Sequence, residues 1–203
     1  PSTVIAAIEG DWRPTWRTEL FPGYKANRLD EEGGEEEPDL LTPQIPILLD
    51  VLDALGIPIV GADDFEADDV IATLSKLKNG PIRIVTGDRD LFQLVDSKRD
   101  VKVVYLAKGI SNHDLVDENW IAKKYEIPGD RYALFSMIRG DVSDGLPGIK
   151  GIGEKGAAEI ARIFPDIKSV LKAHAEESLD LPIKYHKKFS ESRDYAAIME
   201  RLV

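Results

Sequence analysis

Carboxylates recur along this 203-residue chain at spacings that would let several of them share a divalent cation. Asp141 and Asp144 stand three residues apart, so on one helical turn or a tight loop both can face the same point, as hard cations require. Glu66 and Asp69 repeat that spacing at the start of a helical pattern, with Asp68 about 100° round the same turn. Asp88 and Asp90 follow the apolar run Pro81 to Thr86, and Glu9 and Asp11 follow another at Thr3 to Ile8. Acids just past the carboxyl ends of strands lie where open α/β sheets gather ligands. The chain has no cysteine, and His113, His174 and His186 lie away from every acidic motif, so oxygen donors point to Mg²⁺ or Mn²⁺. Two such ions about 4 Å apart can hydrolyse a phosphodiester in line, one activating water and the other stabilising the leaving oxygen. Each motif alone has a plainer alternative, as a turn former or as acids complementing a helix dipole. Seven or more carboxylates on one predicted edge fit those alternatives poorly, because like charges repel and need a cation.

Cations stand beside these acids. Lys25 and Arg28 share a helical face and, with Arg13 and Arg17, form the most basic part of the N-terminal half. Next to a carboxylate-bound metal such a pair could hold a scissile phosphate; taken alone it is a solvated face. After Asp144 the glycines of Pro147-Gly148-Ile149-Lys150-Gly151-Ile152-Gly153 let main-chain N–H groups approach an anion without an intervening Cβ. A helix then opens at Glu154 and Lys155, with its N-terminus adding positive potential. This is the form of a helix-hairpin-helix phosphate clip.

The elements that must position these residues alternate. Strands are predicted at Thr3 to Ile8, Ile57 to Val60, Pro81 to Thr86 and Val101 to Leu106. Helices are predicted from a Thr42 N-cap with Pro43 at the first position through Leu55, over Val70 to Leu77, from an Asp117 cap to Tyr125, and from an Asp130 cap to Arg139. Strands alternating with helices imply a doubly wound, mostly parallel sheet. Beyond the clip the pattern is helical to Val203. The first strand reads as a central one and the chain starts at Pro1, so residues upstream are expected. Residues 30 to 39, DEEGGEEEPD, carry seven acids and no base, and read as a mobile, solvated loop. Setting them aside changes the net charge from −11 to −4, so the acidity is local and compatible with a nucleic-acid partner. No run of 18 apolar residues exists, and the absence of cysteine fits a reducing cytoplasm; a monomer is the default expectation.

The ordered set Glu9-Gly10-Asp11-Trp12-Arg13-Pro14, Pro22-Gly23-Tyr24-Lys25-Ala26-Asn27-Arg28, Phe65-Glu66-Ala67-Asp68-Asp69, Thr86-Gly87-Asp88-Arg89-Asp90 and Gly140 to Gly148 resembles the bacterial 5′ to 3′ exonuclease and flap endonuclease family. The likeness runs over residues 4 to 175 and is greatest to stand-alone actinobacterial members. It implies a PIN-like α/β core over residues 1–138, with an arch loop at about 19–42, and a helix-hairpin-helix region with C-terminal helices over 139–203. It also implies structure-specific, sequence-independent cleavage of DNA at 5′ flaps and 5′ ends, with two or more Mg²⁺ or Mn²⁺ ions and a K⁺ held by hairpin carbonyls. By position, Glu66, Asp68, Asp69, Asp88, Asp90, Asp141 and Asp144 look like metal ligands, joined by Glu9 and Asp11. Lys25 and Arg28 look like the phosphate-steering pair, with Asp88 and Asp141 central to catalysis. Arg13, Arg17, Gly148, Lys150, Gly151, Gly153 and Lys155 join them as DNA contacts. Two departures accompany the likeness: the family's first strand, with its aspartate, would lie upstream of Pro1, and Glu9 stands where aspartate is usual. The alternative is a non-catalytic DNA-binding module on the same fold.

Overall fold

The computed structural model describes residues 3–29, 40 and 43–203. The Thr42 cap and the acidic run 30 to 39 lie outside the described residues, as does much of the expected arch. The chain forms two compact units, residues 1–74 with 143–145, and residues 75–142 with 146–203.

In the first unit, β1 (Ala6–Ala7) pairs in parallel with β2 (Ile59–Val60), Ala6 opposite Ile59. The strand read over Thr3 to Ile8 contracts to these two residues, although Ile8 N–H still donates to the Val60 carbonyl. Past the strands the backbones almost touch: a Cβ on Gly10 would lie 1.8 Å from the Ala62 carbonyl oxygen. Helix α1 (Thr15–Leu20) starts after Pro14. Helix α2 (Gln44–Ala54) has Pro43 itself at the N-cap, so it starts one residue later than the sequence suggests. It closes through Gly56 at φ 66°, with Ile57 N–H donating to the Leu52 carbonyl and Gly56 N–H to that of Asp53. That is a Schellman closure, which uses the left-handed backbone glycine tolerates. The apolar stripe of α2 (Ile47, Leu48, Val51) is exposed. Helix α3 (Ala67–Leu77) follows β2 and runs across the boundary into the second unit.

The second unit is built on β3 (Ile82–Thr86), β4 (Val101–Tyr105) and β5 (Asp114–Val116). β3 and β4 are parallel; β5, which the sequence reading omitted, pairs antiparallel to β4. Val101, Val103 and Val116 are fully buried with Phe92, Ile121, Phe135 and Ile138. Helix α4 (Glu118–Tyr125) is capped as expected, Trp120 N–H donating to Asp117 Oδ1 at 2.9 Å. Asp130 does not cap α5 (Tyr132–Arg139): it sits inside a short 3₁₀ turn, Gly129–Arg131, and Arg131 takes the N-cap position. Gly129 allows that turn, since a Cβ there would meet Glu118 Cα at 2.4 Å. The helical tail is α6 (Glu154–Ile163), α7 (Ile167–Ala175), α8 (Ile183–Glu191) and α9 (Arg193–Leu202). The α/β class, parallel pairing and helical C-terminal region are those expected; the strands are divided between two sheets.

Candidate active site

In the first unit the acids converge on the start of α3. Glu66, immediately before the helix, is buried, as acids this size seldom are without partners. Its carboxylate accepts from the Tyr24 hydroxyl at 2.6 Å, from the Lys25 ammonium, and from Arg17 at 2.8 Å. Asp69 receives both arms of the Arg17 guanidinium at 2.7 and 2.8 Å, and its Oδ2 also accepts Glu66 N–H at 3.0 Å. A carboxylate reaching back from the third helical position to the capping residue's N–H is half of a capping box. Glu9 satisfies the next donor, accepting Ala67 N–H at 2.8 Å, while Asp11 accepts Arg13 N–H two residues on. Asp68 lies half-exposed on the same turn.

The cations of this unit sit differently from their expected roles. Lys25 and Arg17 are turned inward, their side chains 8% and 9% exposed, and Lys25 also donates to the Trp12 carbonyl. Lys25 holds a left-handed backbone, φ 49°, an uncommon conformation for a residue with a Cβ. Burial opposes the Arg17 charge, but hydrogen bonding to Asp69 and the nearby carboxylates raise its pKa above the ordinary value. Arg13 braces the loop before Lys25, donating to the carbonyls of Tyr24 at 2.7 Å and Pro22 at 2.9 Å. Tyr24 takes a role that its motif does not disclose: burial, then the Glu66 charge, push its hydroxyl pKa far up, so it remains a donor. Arg28 bonds Asp144 and the Ser143 carbonyl, and Lys25 N–H donates to the Asp144 carbonyl.

In the second unit, Asp88 and Asp90 follow β3 as predicted. Asp88 makes an Asx turn, its Oδ1 accepting Asp90 N–H at 2.8 Å. Asp141 is buried at the end of α5 and accepts from Arg89 at 2.7 Å, with Arg139 at 3.6 Å. The bond that Arg89 donates to Asp141 holds the Arg89 pKa up. Arg89 had no role in the sequence reading, although its place between two acids was a signal. Reciprocal bonds between Asp141 and Leu146 close the intervening loop. The three-residue spacing therefore puts Asp141 and Asp144 on one tight loop, but each is engaged by its own arginine.

Among the described residues no three acidic or histidine side chains are gathered to hold an ion. Positive charge stands beside the acids instead: Arg17 and Lys25 at Glu66, Arg28 at Asp144 and Arg89 at Asp141. The donors are nonetheless the hard oxygens that Mg²⁺ or Mn²⁺ takes.

The clip is a helix-hairpin-helix: α5 and α6 pack on one another, and Phe135 and Ile138 on the first and Ala157 and Ile160 on the second are buried. Gly148, expected at the phosphate, is buried instead. At φ 63° its Cα passes the Arg139 backbone so closely that a Cβ would lie 2.6 Å from that carbonyl. Lys150, Gly151, Gly153 and Lys155 are exposed at the tip and at the start of α6. Lys150 N–H donates to Ser192 Oγ at 2.9 Å, and Lys188 binds the Gly151 carbonyl. A Cβ on Gly153 would meet nothing within 4 Å, so no steric demand fixes glycine there.

Residues 1–126 match the family described as 5′-3′ exonuclease, N-terminal resolvase-like domain. Over 208 residues the chain is 46% identical to a 5′-3′ exonuclease of Streptomyces coelicolor, a match spanning 100% of this chain and 69% of that protein. Among solved structures, the T5 D15 protein co-crystallised with metal ions superposes with a TM-score of 0.76 at 22% identity, over 100% of this chain and 75% of that one. The bacteriophage T5 D15 flap endonuclease in a pseudo-enzyme-product complex with DNA and metal ions gives 0.70 at 19% identity, over 97% and 71%. These structural likenesses are ones of fold.

Proposed function

The chain belongs to the 5′-3′ exonuclease family, and from that premise we propose that divalent cations held by its carboxylates serve DNA cleavage at 5′ ends and flaps. It is a structure-specific 5′-3′ exonuclease and flap endonuclease, a phosphodiester hydrolase of replication and repair. The observation that carries the reading is the Glu66 cluster. A buried carboxylate is oriented at the start of α3 by Tyr24, Lys25 and Arg17, inside a chain similar along its whole length to a 5′-3′ exonuclease.

Glu66, Asp68, Asp88, Asp90, Asp141 and Asp144 would hold Mg²⁺ or Mn²⁺, with Glu9 and Asp11 as outer partners. Bound there, such cations supply an activated water and charge for the leaving oxygen. Lys25 and Arg28 are the phosphate-steering pair. Arg28, about a third exposed, is the more open of the two. The DNA backbone lies at Lys150, Gly151, Gly153 and Lys155, contacts that position a duplex without reading sequence. A K⁺ at the hairpin carbonyls belongs to the same reading, and at Gly151 it would replace the Lys188 ammonium. The chemistry is carried by residues 1–138 together with Asp141 and Asp144, and the rest of 139–203 supplies the grip, in a cytoplasmic monomer.

The test is cleavage of a 5′-labelled flap duplex with Mg²⁺, with Mn²⁺ and with chelator. Metal-dependent incision near the junction is expected, and Asp141→Asn should lower turnover by about 10²-fold or more while leaving flap affinity unchanged. Unchanged turnover would remove Asp141 from the site. Flap binding without incision by the wild-type chain would leave a DNA-binding module.

A further inference from the structure

The two cations that face Glu66 are not equivalent. Lys25 brings a single ammonium on a flexible stem to one oxygen, so an incoming cation can displace it from that oxygen. Arg17 brings a planar fork whose two arms meet both oxygens of Asp69, at 2.7 and 2.8 Å, while one arm also reaches Glu66 at 2.8 Å. The fork cannot turn freely. Its Cζ lies 4.3 Å from the centroid of the Trp16 ring, and Trp16 is fixed by its indole N–H on the Asp64 carbonyl at 3.2 Å and by Phe65. Asp69 is tied a third time, by Glu66 N–H at 3.0 Å. A metal at Asp69 would have to break a bidentate pair and a helix cap together.

We propose that Arg17 and Asp69 are a positioning pair: they bind neither metal nor DNA, and they hold Glu66 and the first turn of α3 in the orientation from which Glu66 and Asp68 take up a cation. The inference rests on the metal-dependent reading of this chain and assigns different work to two residues that the sequence suggested as a DNA contact and a metal ligand. It also predicts a sign. If Asp69 were a ligand, Arg17 would compete with the metal, and removing its charge would tighten metal binding. If the two are a positioning pair, removing Arg17 loosens metal binding.

Mn²⁺ titration of the full chain by calorimetry separates these, with folding checked by circular dichroism. Arg17→Gln should weaken Mn²⁺ binding about 10-fold or more, the usual loss when a ligand's supporting partner goes. Asp69→Asn should do the same, and the double variant should lose no more than either single one. Arg17→Lys, which keeps the charge and loses the fork, should recover only part of the affinity, and it carries the test should Arg17→Gln not fold. Tighter Mn²⁺ binding in Arg17→Gln, or additive losses in the double variant, would overturn the proposal. Absence of Mn²⁺ uptake by the wild-type chain would overturn the metal-dependent reading itself, a result separate from any difference among variants.

Discussion

Tyr24 shows how a single side chain acquires a role that its type alone does not disclose. Its ring is buried and its hydroxyl donates to Glu66 at 2.6 Å, one of three donors, with Lys25 and Arg17, that surround this buried carboxylate. Tyr24→Phe removes one donor and leaves the acceptor. Urea unfolding should show a loss of about 1–3 kcal/mol, the cost of an unsatisfied buried polar group. Because burial and the Glu66 charge push the hydroxyl pKa far up, that loss should be the same at pH 6 and pH 9. A difference below about 0.3 kcal/mol, or one that disappears at pH 9, would show that the hydroxyl does not support Glu66. The residue types and spacings of the acids were legible in the sequence. Which cation meets which acid was not, since Arg17 and Asp69 are 52 positions apart and meet only through folding.

At the scale of elements, helix ends are closed by specific groups. Asp117 and Asp166 cap α4 and α7 through N–H groups three residues on. Arg131 gathers the carbonyls of Ala161, Arg162 and Phe164 at the end of α6, and Arg99 those of Ser75, Lys76 and Lys78 at the end of α3. Terminal carbonyls have no intrahelical partner, and a guanidinium can serve several at once. The Asp166 cap gives a pH-dependent expectation. Its pKa is lowered first by the Ser169 backbone hydrogen bond, so its stabilisation is full above the unfolded value of about 3.9 and is lost as pH falls through the lower folded value. Asp166→Ala should therefore cost about 1 kcal/mol at pH 7 and less at pH 3, read by urea unfolding. An equal cost at both pH values would mean that the carboxylate charge is not what caps α7.

For the whole molecule, the distribution of charge matters more than its sum. Seven of the acids behind the net charge of −11 lie in residues 30–39, and a uniform acidic field slows association with DNA. Replacing those seven acids with Gln and Ser should speed flap-duplex association at low salt, by about 10-fold or more. The gain should vanish near 1 M salt, where the Debye length is about 3 Å. Stopped-flow anisotropy over a salt series would show it, and an unchanged rate at low salt would show that the run does not face the incoming duplex. Each unit has its own strands, and among the described residues no helix is long and apolar enough to cross a membrane.

The sequence by itself determined the α/β class, the places of most helices, the hairpin and the ordered acids, because apolar periodicity, turn glycines and fixed spacings act over short stretches of chain. Only the tertiary structure decided that Arg17 and Lys25 face inward to Asp69 and Glu66, that Asp141 and Asp144 take separate arginines, and that Gly148 serves a backbone crossing. The physical reason is common to all three. A charge in the interior, or a Cα against another backbone, is tolerated only where the partner arrives from elsewhere in the chain, and that meeting is a property of the packed fold.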